Sequence, residues 1–349
     1  MNWWNRILLV CLVLVSESVL SNVGMLTAAE KQTLIAKALK LDRTDGEYNQ
    51  LCFSSDSKKV YAANYAEGTI HVWDLYSANR VMQISVNQPV NWTQLYPLGE
   101  NLILITDQNG VIWKLNLERK SLVQFHNPPS VDLGPRSILA IDYDRKRSQL
   151  ILVRGNGWVD YLDYQGGQVT RESRKQFKLE HDIKQAVFAR DHACFATVEW
   201  SNNVSLLQTN DVKLLWRNKY DKKISHLSFG LSRDVLVLSQ IDGTCLGFDT
   251  KSKKIQWRVS CKSRLVKSEI SQDGKAIYAL SGGLRKKQAK TGIAAFQIYR
   301  ISDGELMFRQ KLKGDLPSTL KCSADGQFVA AVSGKELYLW KIGTGETIP

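Results

Sequence analysis

The side chains with the clearest chemical potential are lysines and arginines concentrated in the second half of the chain. The formal net charge is +13. Residues 1–170 contain 16 basic and 16 acidic side chains, whereas residues 171–349 contain 31 and 18, so the whole excess lies after residue 170. A surface that collects basic groups attracts anions at long range and speeds their encounter. The chemistry that the sequence indicates is therefore the binding of an anionic partner.

These basic residues occur in short clusters along the chain. The candidate anion-binding residues are Arg174, Lys175 and Lys178; Lys219, Lys222 and Lys223; Lys262, Arg264 and Lys267; and Arg285, Lys286, Lys287 and Lys290. A solvated basic surface that only aids solubility is the plain alternative. Only Phe177 and Tyr220 add aromatic rings between the clusters, which gives little support to base stacking on single-stranded nucleic acid.

Motifs for catalysis or metal binding are absent from the sequence. The chain contains no GxSxG elbow, no HExxH pair, no phosphate-binding loop and no dinucleotide fingerprint. Its five histidines lack metal-ligand spacing, and none of its six cysteines forms a CxxC pair. The sequence therefore predicts no catalytic residue, no metal site and no cofactor, and it favours a binding protein over an enzyme.

The basic clusters lie between copies of a repeated segment. The first copy, residues 66–75, has a turn at Gly68, alternating apolar residues, and a strand end at Trp73-Asp74. The apolar anchors equivalent to Trp73 are Leu115, Leu162, Leu207, Phe248, Tyr299 and Trp340. They follow one another at intervals of 42, 47, 45, 41, 51 and 41 residues. Periods near 40–45 residues with a Gly-containing hairpin are typical of propeller blades, so we expect seven blades.

The pattern resembles a known family. From about Thr33 to Pro349 the chain is similar to seven-bladed WD-repeat propellers, and segments such as Phe248 to Val259 resemble blades of quinoprotein-like propellers. Only the first copy has the literal Trp-Asp pair, and no copy opens with Gly-His. The resemblance implies an all-β, seven-bladed β-propeller over residues 30–349 and a role as a scaffold for protein interactions.

The last copy of the repeat lacks its own outer strand. Only GTGETIP follows Ile342, whereas the segment from Thr33 to Leu41 alternates apolar and polar residues. An unpaired strand edge is a site for unwanted association, and closed rings remove it. We therefore expect the N-terminal segment to supply the missing outer strand and close the ring.

Residues 1–29 predict a signal peptide or a membrane anchor. A short basic start is followed by a nine-residue apolar run, Ile7 to Val15, and then by small and polar residues. Cleavage is expected after Ser21 or Ala29. The apolar run is shorter than the ~20 residues that a bilayer-spanning helix needs, so a retained anchor is the alternative, as is a buried N-terminal strand. The expected location is outside the cytosol, in a periplasm, a secretory lumen or the medium; an intracellular location is the alternative.

Propeller topology converts the basic clusters into one surface. In a four-stranded blade, the loop entering the innermost strand and the loop between the second and third strands open on the same face. The clusters belong to these loops, so we expect them to converge over blades four to seven. The leading hypothesis is an exported, non-enzymatic scaffold, monomeric on its own, that holds an acidic protein, glycan or lipid surface.

Two other functions remain open at this stage. One is an intracellular propeller whose basic face binds nucleic acid. The logarithm of the binding constant would then fall linearly with the logarithm of the salt concentration. The other is an enzyme of the quinoprotein or lactonase kind, which would need polar residues gathered on the central channel.

Overall fold

The computed structural model describes residues 34–40, 47–85, 90–126, 137–171, 176–230, 234–261, 263–282, 294–313 and 317–344. Every helix or strand assigned within these ranges is a β-strand. By contact the chain divides into residues 37–342, and a small second unit of residues 1–36 and 343–349. Of the second unit, only the outer ends of two strands lie in the described ranges.

The strands follow one another as short antiparallel hairpins. The N-terminal strand β1 spans Leu34–Lys40. Blade one contains β2 (Tyr48–Phe53), β3 (Lys59–Asn64), β4 (Thr69–Asp74) and β5 (Arg80–Ser85). Blade two contains β6 (Trp92–Pro97), β7 (Leu102–Asp107), β8 (Ile112–Asn116) and β9 (Ser121–His126). Blade three contains β10 (Ile138–Asp144), β11 (Gln149–Arg154), β12 (Trp158–Gln165), β13 (Gln168–Arg171) and β14 (Gln176–Lys178).

The second half continues the pattern. Blade four contains β15 (Ile183–Phe188), β16 (Cys194–Glu199), β17 (Asn203–Gln208) and β18 (Leu214–Lys219). Blade five contains β19 (Ile224–Phe229), β20 (Val235–Gln240), β21 (Thr244–Asp249) and β22 (Lys254–Ser260). Blade six contains β23 (Leu265–Ile270), β24 (Ala276–Ser281), β25 (Ala295–Arg300) and β26 (Leu306–Lys311). Blade seven contains β27 (Pro317–Cys322), β28 (Phe328–Ser333) and β29 (Glu336–Thr344).

The seven sheets form a closed ring. The first strand of each blade packs against the first strand of the next, and β27 of the last blade packs against β2 of the first. The strand order of the last sheet is β1-β29-β28-β27, so β1 supplies the outer strand that the last repeat lacks. The predicted seven-bladed propeller and its closure by the N-terminal segment are confirmed.

The repeated anchor residues form the packing between blades. Trp73 and Trp340 are fully buried, and Leu115, Leu162, Leu207, Phe248 and Tyr299 are also buried. Trp73 packs beside Leu337 and Leu339 of blade seven in one hydrophobic cluster. Burial of such large apolar groups is the main favourable term in folding, and here it joins each sheet to its neighbour. The anchor alignment drawn from the sequence is therefore correct.

Polar turns hold the hairpins on one side of the ring. In three blades a serine hydroxyl donates to an aspartate two residues later, at 2.6 Å for Ser54–Asp56, 2.6 Å for Ser271–Asp273 and 2.5 Å for Ser323–Asp325. The repeated aspartate after the anchor has a similar role. Asp74 accepts a hydrogen bond from the backbone N–H of Ser77 at 2.8 Å, and this bond lowers the pKa of Asp74. These turn residues fix the spacing of the strands that they connect.

The predicted export segment, residues 1–29, lies outside the described residues. No helix in the part of the chain that the structure describes is long and apolar enough to cross a membrane.

Candidate functional site: a basic loop face and a basic central channel

The loop face is the side of the ring that carries the turns entering each inner strand and the turns between second and third strands. Six of the thirteen predicted anion-binding residues are described: Lys178, Lys219, Lys222, Lys223, Arg264 and Lys267. The others, Arg174, Lys175, Lys262, Arg285, Lys286, Lys287 and Lys290, lie outside the described residues. The geometry of the site is therefore built from the six and from the residues around them.

Three lysines lie together on the loop face of blade four. Lys219 ends β18, and Lys222 and Lys223 follow in the turn that enters β19. All three are exposed. The backbone carbonyl of Lys223 accepts a hydrogen bond from the N–H of Ile241 at 2.9 Å, which fixes this turn against blade five. Within the described ranges, no carboxylate forms an ion pair with these lysines, so their ammonium groups are available to an anion.

An exposed tryptophan lies on the same face and was missed by the sequence analysis. Trp200 follows β16, in the turn that leads to β17, and 69 % of its surface is exposed. It shares this end of blade four with Lys219, because Asn203 at the start of β17 is paired with Lys219. The signal was available: a large aromatic residue stands at a turn position where blades two, three, six and seven have Gln108, Gly155, Gly282 and Gly334.

The turn that carries Trp200 is held by one carboxylate. Glu199 accepts hydrogen bonds from Ser201 Oγ at 2.9 Å and Asn203 Nδ2 at 2.8 Å. Arg217 Nη2 also donates to Glu199, at 2.8 Å, and Arg217 Nη1 reaches Glu180 at 3.0 Å. Arg217 therefore has a structural role, and the turn that carries the tryptophan is held in place by hydrogen bonds.

The two aromatic residues that the sequence analysis considered are not exposed platforms. Tyr220 is buried, with 9 % of its surface accessible. Phe177 packs edge-on against Tyr161, with 5.9 Å between ring centroids. Both rings belong to the packing between strands, because an aromatic next to a basic cluster contributes more energy buried in the core than facing water.

Three of the predicted loop residues, Lys178, Lys219 and Lys267, lie within strands, which corrects the prediction that every cluster belongs to loops. Lys178 ends β14, an additional edge strand that pairs with β12. Its Nζ donates to the carbonyl of Asn156 and lies 5.6 Å from the centre of the Trp158 ring. Lys267 is the third residue of β23 and lines the central channel. Arg264 precedes β23 at the loop face and is half-buried.

The central channel is a cavity of about 570 Å³ to which all seven inner strands contribute. The third residue of every inner strand lines it: Gln50, Gln94, Ala140, Gln185, His226, Lys267 and Thr319. Each inner strand has a β-bulge between its first and third residues. A bulge bends a strand and redirects its side chains. Every inner strand therefore combines a bulge with a third residue that lines the channel.

One wall of the channel is basic. Lys184 of β15, Lys267 of β23 and Lys321 of β27 line it, and Arg190 lies in the turn between β15 and β16. Lys321 Nζ pairs with Glu269 at 3.1 Å, although 44 % of the Lys321 side chain stays open to the channel. Lys184 Nζ donates to the carbonyl of Ile224 at 2.7 Å. Among the described residues, no carboxylate pairs with Lys267.

Burial and neighbouring positive charges lower the pKa of two lysines on this wall. Removal from water, together with the charges of Lys321 and Lys184 and against the opposing charge of Glu269, lowers the pKa of Lys267 to about 8. Burial also lowers the pKa of Lys184, and the charge of Lys223 on the loop face adds to that effect. The loop-face lysines and the channel lysines therefore act on each other electrostatically.

The opposite wall pairs its ionisable groups. Buried Asp142 accepts a hydrogen bond from Tyr96 Oη at 3.0 Å, and His192 Nδ1 lies 2.6 Å from its other oxygen. This hydrogen bond raises the pKa of His192. His226 is different: burial holds its pKa well below the usual range, so the ring is neutral and Nδ1–H donates to the carbonyl of Ser268 at 2.9 Å.

The channel resembles a binding cavity more than a metal centre. Among the described residues, no group of three or more His, Cys, Asp or Glu side chains could hold a metal ion. No protein-family model matches the chain, and no curated protein matches it at a significant level. The functional interpretation therefore rests on the fold and on these two surfaces.

Proposed function

We propose that the protein is a non-enzymatic interaction scaffold of the WD-repeat type, acts outside the cytosol, and holds an acidic protein partner on its loop face. The observation that carries this proposal is the exposed trio Lys219, Lys222 and Lys223 beside exposed Trp200. Lysines without ion-pair partners supply attraction, and the tryptophan supplies an apolar anchor.

The two residue types contribute different parts of the binding energy. Exposed lysines steer an acidic partner and raise its association rate, an effect that salt screens over about 10 Å. Tryptophan is among the residues that most often dominate an interface, because a large ring loses much water-exposed apolar surface at small entropic cost. Glu199 already holds the turn under Trp200, so little ordering is left to occur on binding.

The export part of the proposal depends on the N-terminal pattern. A mature chain that begins at Asn22 or Glu30, in the natural host, is the expected result of N-terminal sequencing. An intact N-terminus at Met1 in a protein recovered from the cytosol would contradict export and favour the intracellular alternative.

The loop face can be tested with a probe of defined chemistry. We expect Lys219→Glu, Lys222→Glu and Lys223→Glu combined to weaken binding of a fluorescein-labelled polyglutamate peptide by about tenfold at low salt. The difference should shrink as salt rises, because the Debye length falls. Fluorescence anisotropy at about 25 mM and 300 mM salt measures both effects.

A matched control lies on the opposite side of the ring. Lys253, Lys254 and Lys275 are exposed there, in or next to turns between strands, and their reversal to Glu changes net charge by the same amount. Their reversal should weaken polyglutamate binding by less than about twofold. Equal losses of polyglutamate affinity in the two triple variants would show that binding depends on net charge alone and not on the loop face. Tighter binding of single-stranded oligothymidylate than of polyglutamate would instead favour the nucleic-acid alternative.

A further inference from the structure

The basic wall of the central channel forms a second site, separate from the loop face. We propose that the channel binds a small anion carrying two or more negative charges, held by Lys184, Lys267 and Lys321. This inference is independent of the acidic partner on the loop face, because the residues that carry it line the cavity within the ring.

The size of the channel fits a small molecule. Its volume of about 570 Å³ lies inside the range of roughly 300–1,000 Å³ that is common for small-molecule sites. Its walls are the inner strands of all seven blades, and each is hydrogen-bonded to the second strand of its blade. Groups presented by a rigid sheet are held in place before a ligand arrives, so little binding energy is lost to ordering.

The charge balance of the channel specifies an anion. Among the carboxylates near it, Asp142 is engaged by Tyr96 and His192, and Glu269 is engaged by Lys321. Lys267 has no such partner in the described part of the chain. A lysine held away from water beside other lysines is costly to keep charged. An anion bound between them offsets this cost. Glu269 already balances one of the three ammonium groups, so an anion with two negative charges balances the other two.

The approach to the site is also basic. Lys223 lies on the loop face and acts electrostatically on Lys184 inside the channel. Lys184 in turn acts on Lys267, and so does Lys321. A graded series of positive groups from the mouth to the interior focuses the potential and raises the local concentration of an anion.

The charged and titratable groups around Lys267 come from four inner strands. Lys184 faces it from β15, His226 from β19, Glu269 from its own strand β23, and Lys321 from β27. His226 is neutral across the neutral and alkaline range because its pKa is strongly depressed. The pKa of Lys321 is raised, mainly by Glu269. Lys267, with a pKa of about 8, therefore changes its charge between neutral and mildly alkaline pH.

Calorimetric titration with citrate tests the site, and inorganic pyrophosphate in a second arm distinguishes carboxylate from phosphate chemistry. At low ionic strength and pH near 7 we expect at least one of the two to bind with a Kd below about 1 mM. Lys267→Met should weaken that binding by about tenfold or more, because a charged partner in a shielded cavity is lost.

The pH dependence uses citrate, which keeps its full charge from neutral to alkaline pH. Citrate affinity should fall as the pH rises through about 8, because Lys267 loses its proton. Lys267→Arg should bind citrate at neutral pH and lose most of this pH dependence, since arginine stays charged. Binding by this variant also shows that the ring tolerates substitution at the position.

Two controls locate the anion. Gln94→Met changes the opposite wall of the same cavity without changing charge, and Lys222→Met removes a charge from the loop face only. Both should change Kd by less than about threefold. The proposal is overturned if neither anion binds, if Gln94→Met weakens binding as much as Lys267→Met, or if Lys222→Met does so. The first of these results leaves the loop-face proposal standing.

Discussion

His192 and Asp142 form the best-defined ionisable pair on the channel wall. The Nδ1 and Oδ2 atoms lie 2.6 Å apart, Asp142 is buried, and 40 % of the His192 side chain is exposed. The hydrogen bond to Asp142 raises the pKa of His192 above its usual value. A raised histidine pKa means that the charged pair stabilises the folded state below the unfolded pKa, and that this stability is lost as pH rises through the folded pKa.

We therefore predict that His192→Asn lowers stability more at about pH 5.5 than at about pH 9. Asparagine suits this position because His192 has a φ of 61°, a conformation that asparagine adopts more readily than most residues. Urea unfolding of both proteins at the two pH values measures the difference. His181→Asn is the control, at an exposed histidine 3.9 Å from exposed Glu180, and its effect on stability should be smaller because water screens exposed charges. A loss that is equal at both pH values, or larger at the higher one, would contradict the assigned role of the pair.

The sequence was most informative about residues that repeat and least informative about residues that do not. Trp73 and Trp340 were recognised as core anchors from their period, and both are buried. Lys267 was assigned to a loop, but strand β23 begins two residues earlier and the side chain lines the channel. The direction of a side chain in an inner strand depends on the β-bulge at the start of the strand. The repeat pattern of the sequence does not reveal that bulge.

Among the strands, we expect β1, which closes the ring, to have the largest effect on stability. β1 pairs with β29 and covers an edge that would otherwise expose unpaired backbone groups. Because blades share one ring, loss of an outer strand weakens the contact that joins the last blade to the first.

We predict that removing residues 1–41 lowers the melting temperature strongly or prevents soluble folding, whereas removing residues 1–29 leaves it nearly unchanged. Thermal unfolding followed by circular dichroism compares the two truncations with the full chain. The shorter truncation controls for loss of the apolar N-terminus. Equal melting temperatures for both truncations would show that β1 contributes nothing to closure.

Blade three shows where element prediction reached its limit. Its outer edge contains two short strands, β13 and β14, both paired with β12. One outer strand was expected from the four-stranded repeat. The second is held by Phe177, which packs on Tyr161 and brings residues 176–178 alongside Trp158–Asp160. Such pairing depends on contacts between residues that are distant in sequence, and a repeat pattern does not contain them.

At the scale of the whole molecule, the charge asymmetry becomes a spatial one. The exposed trio Lys219, Lys222 and Lys223 lies at the end of blade four, and the channel lysines project from blades four, six and seven. The junction of blades three and four pairs its charges instead, through Asp142 of β10 and His192 in the turn after β15. The described part of the basic excess therefore lies in one sector of the ring, and the proposals above assign anionic ligands to that sector.

The central claim is that an acidic partner binds to the loop face, and hydrogen–deuterium exchange with and without the polyglutamate peptide tests it directly. The account predicts slower exchange in the turns at residues 200–202 and 220–223 when the peptide is bound. The opposite turns, at residues 250–253 and 271–275, should exchange as they do in the free protein. Protection of those opposite turns, or no protection of the turns around Trp200 and Lys222 at saturating peptide, would contradict it.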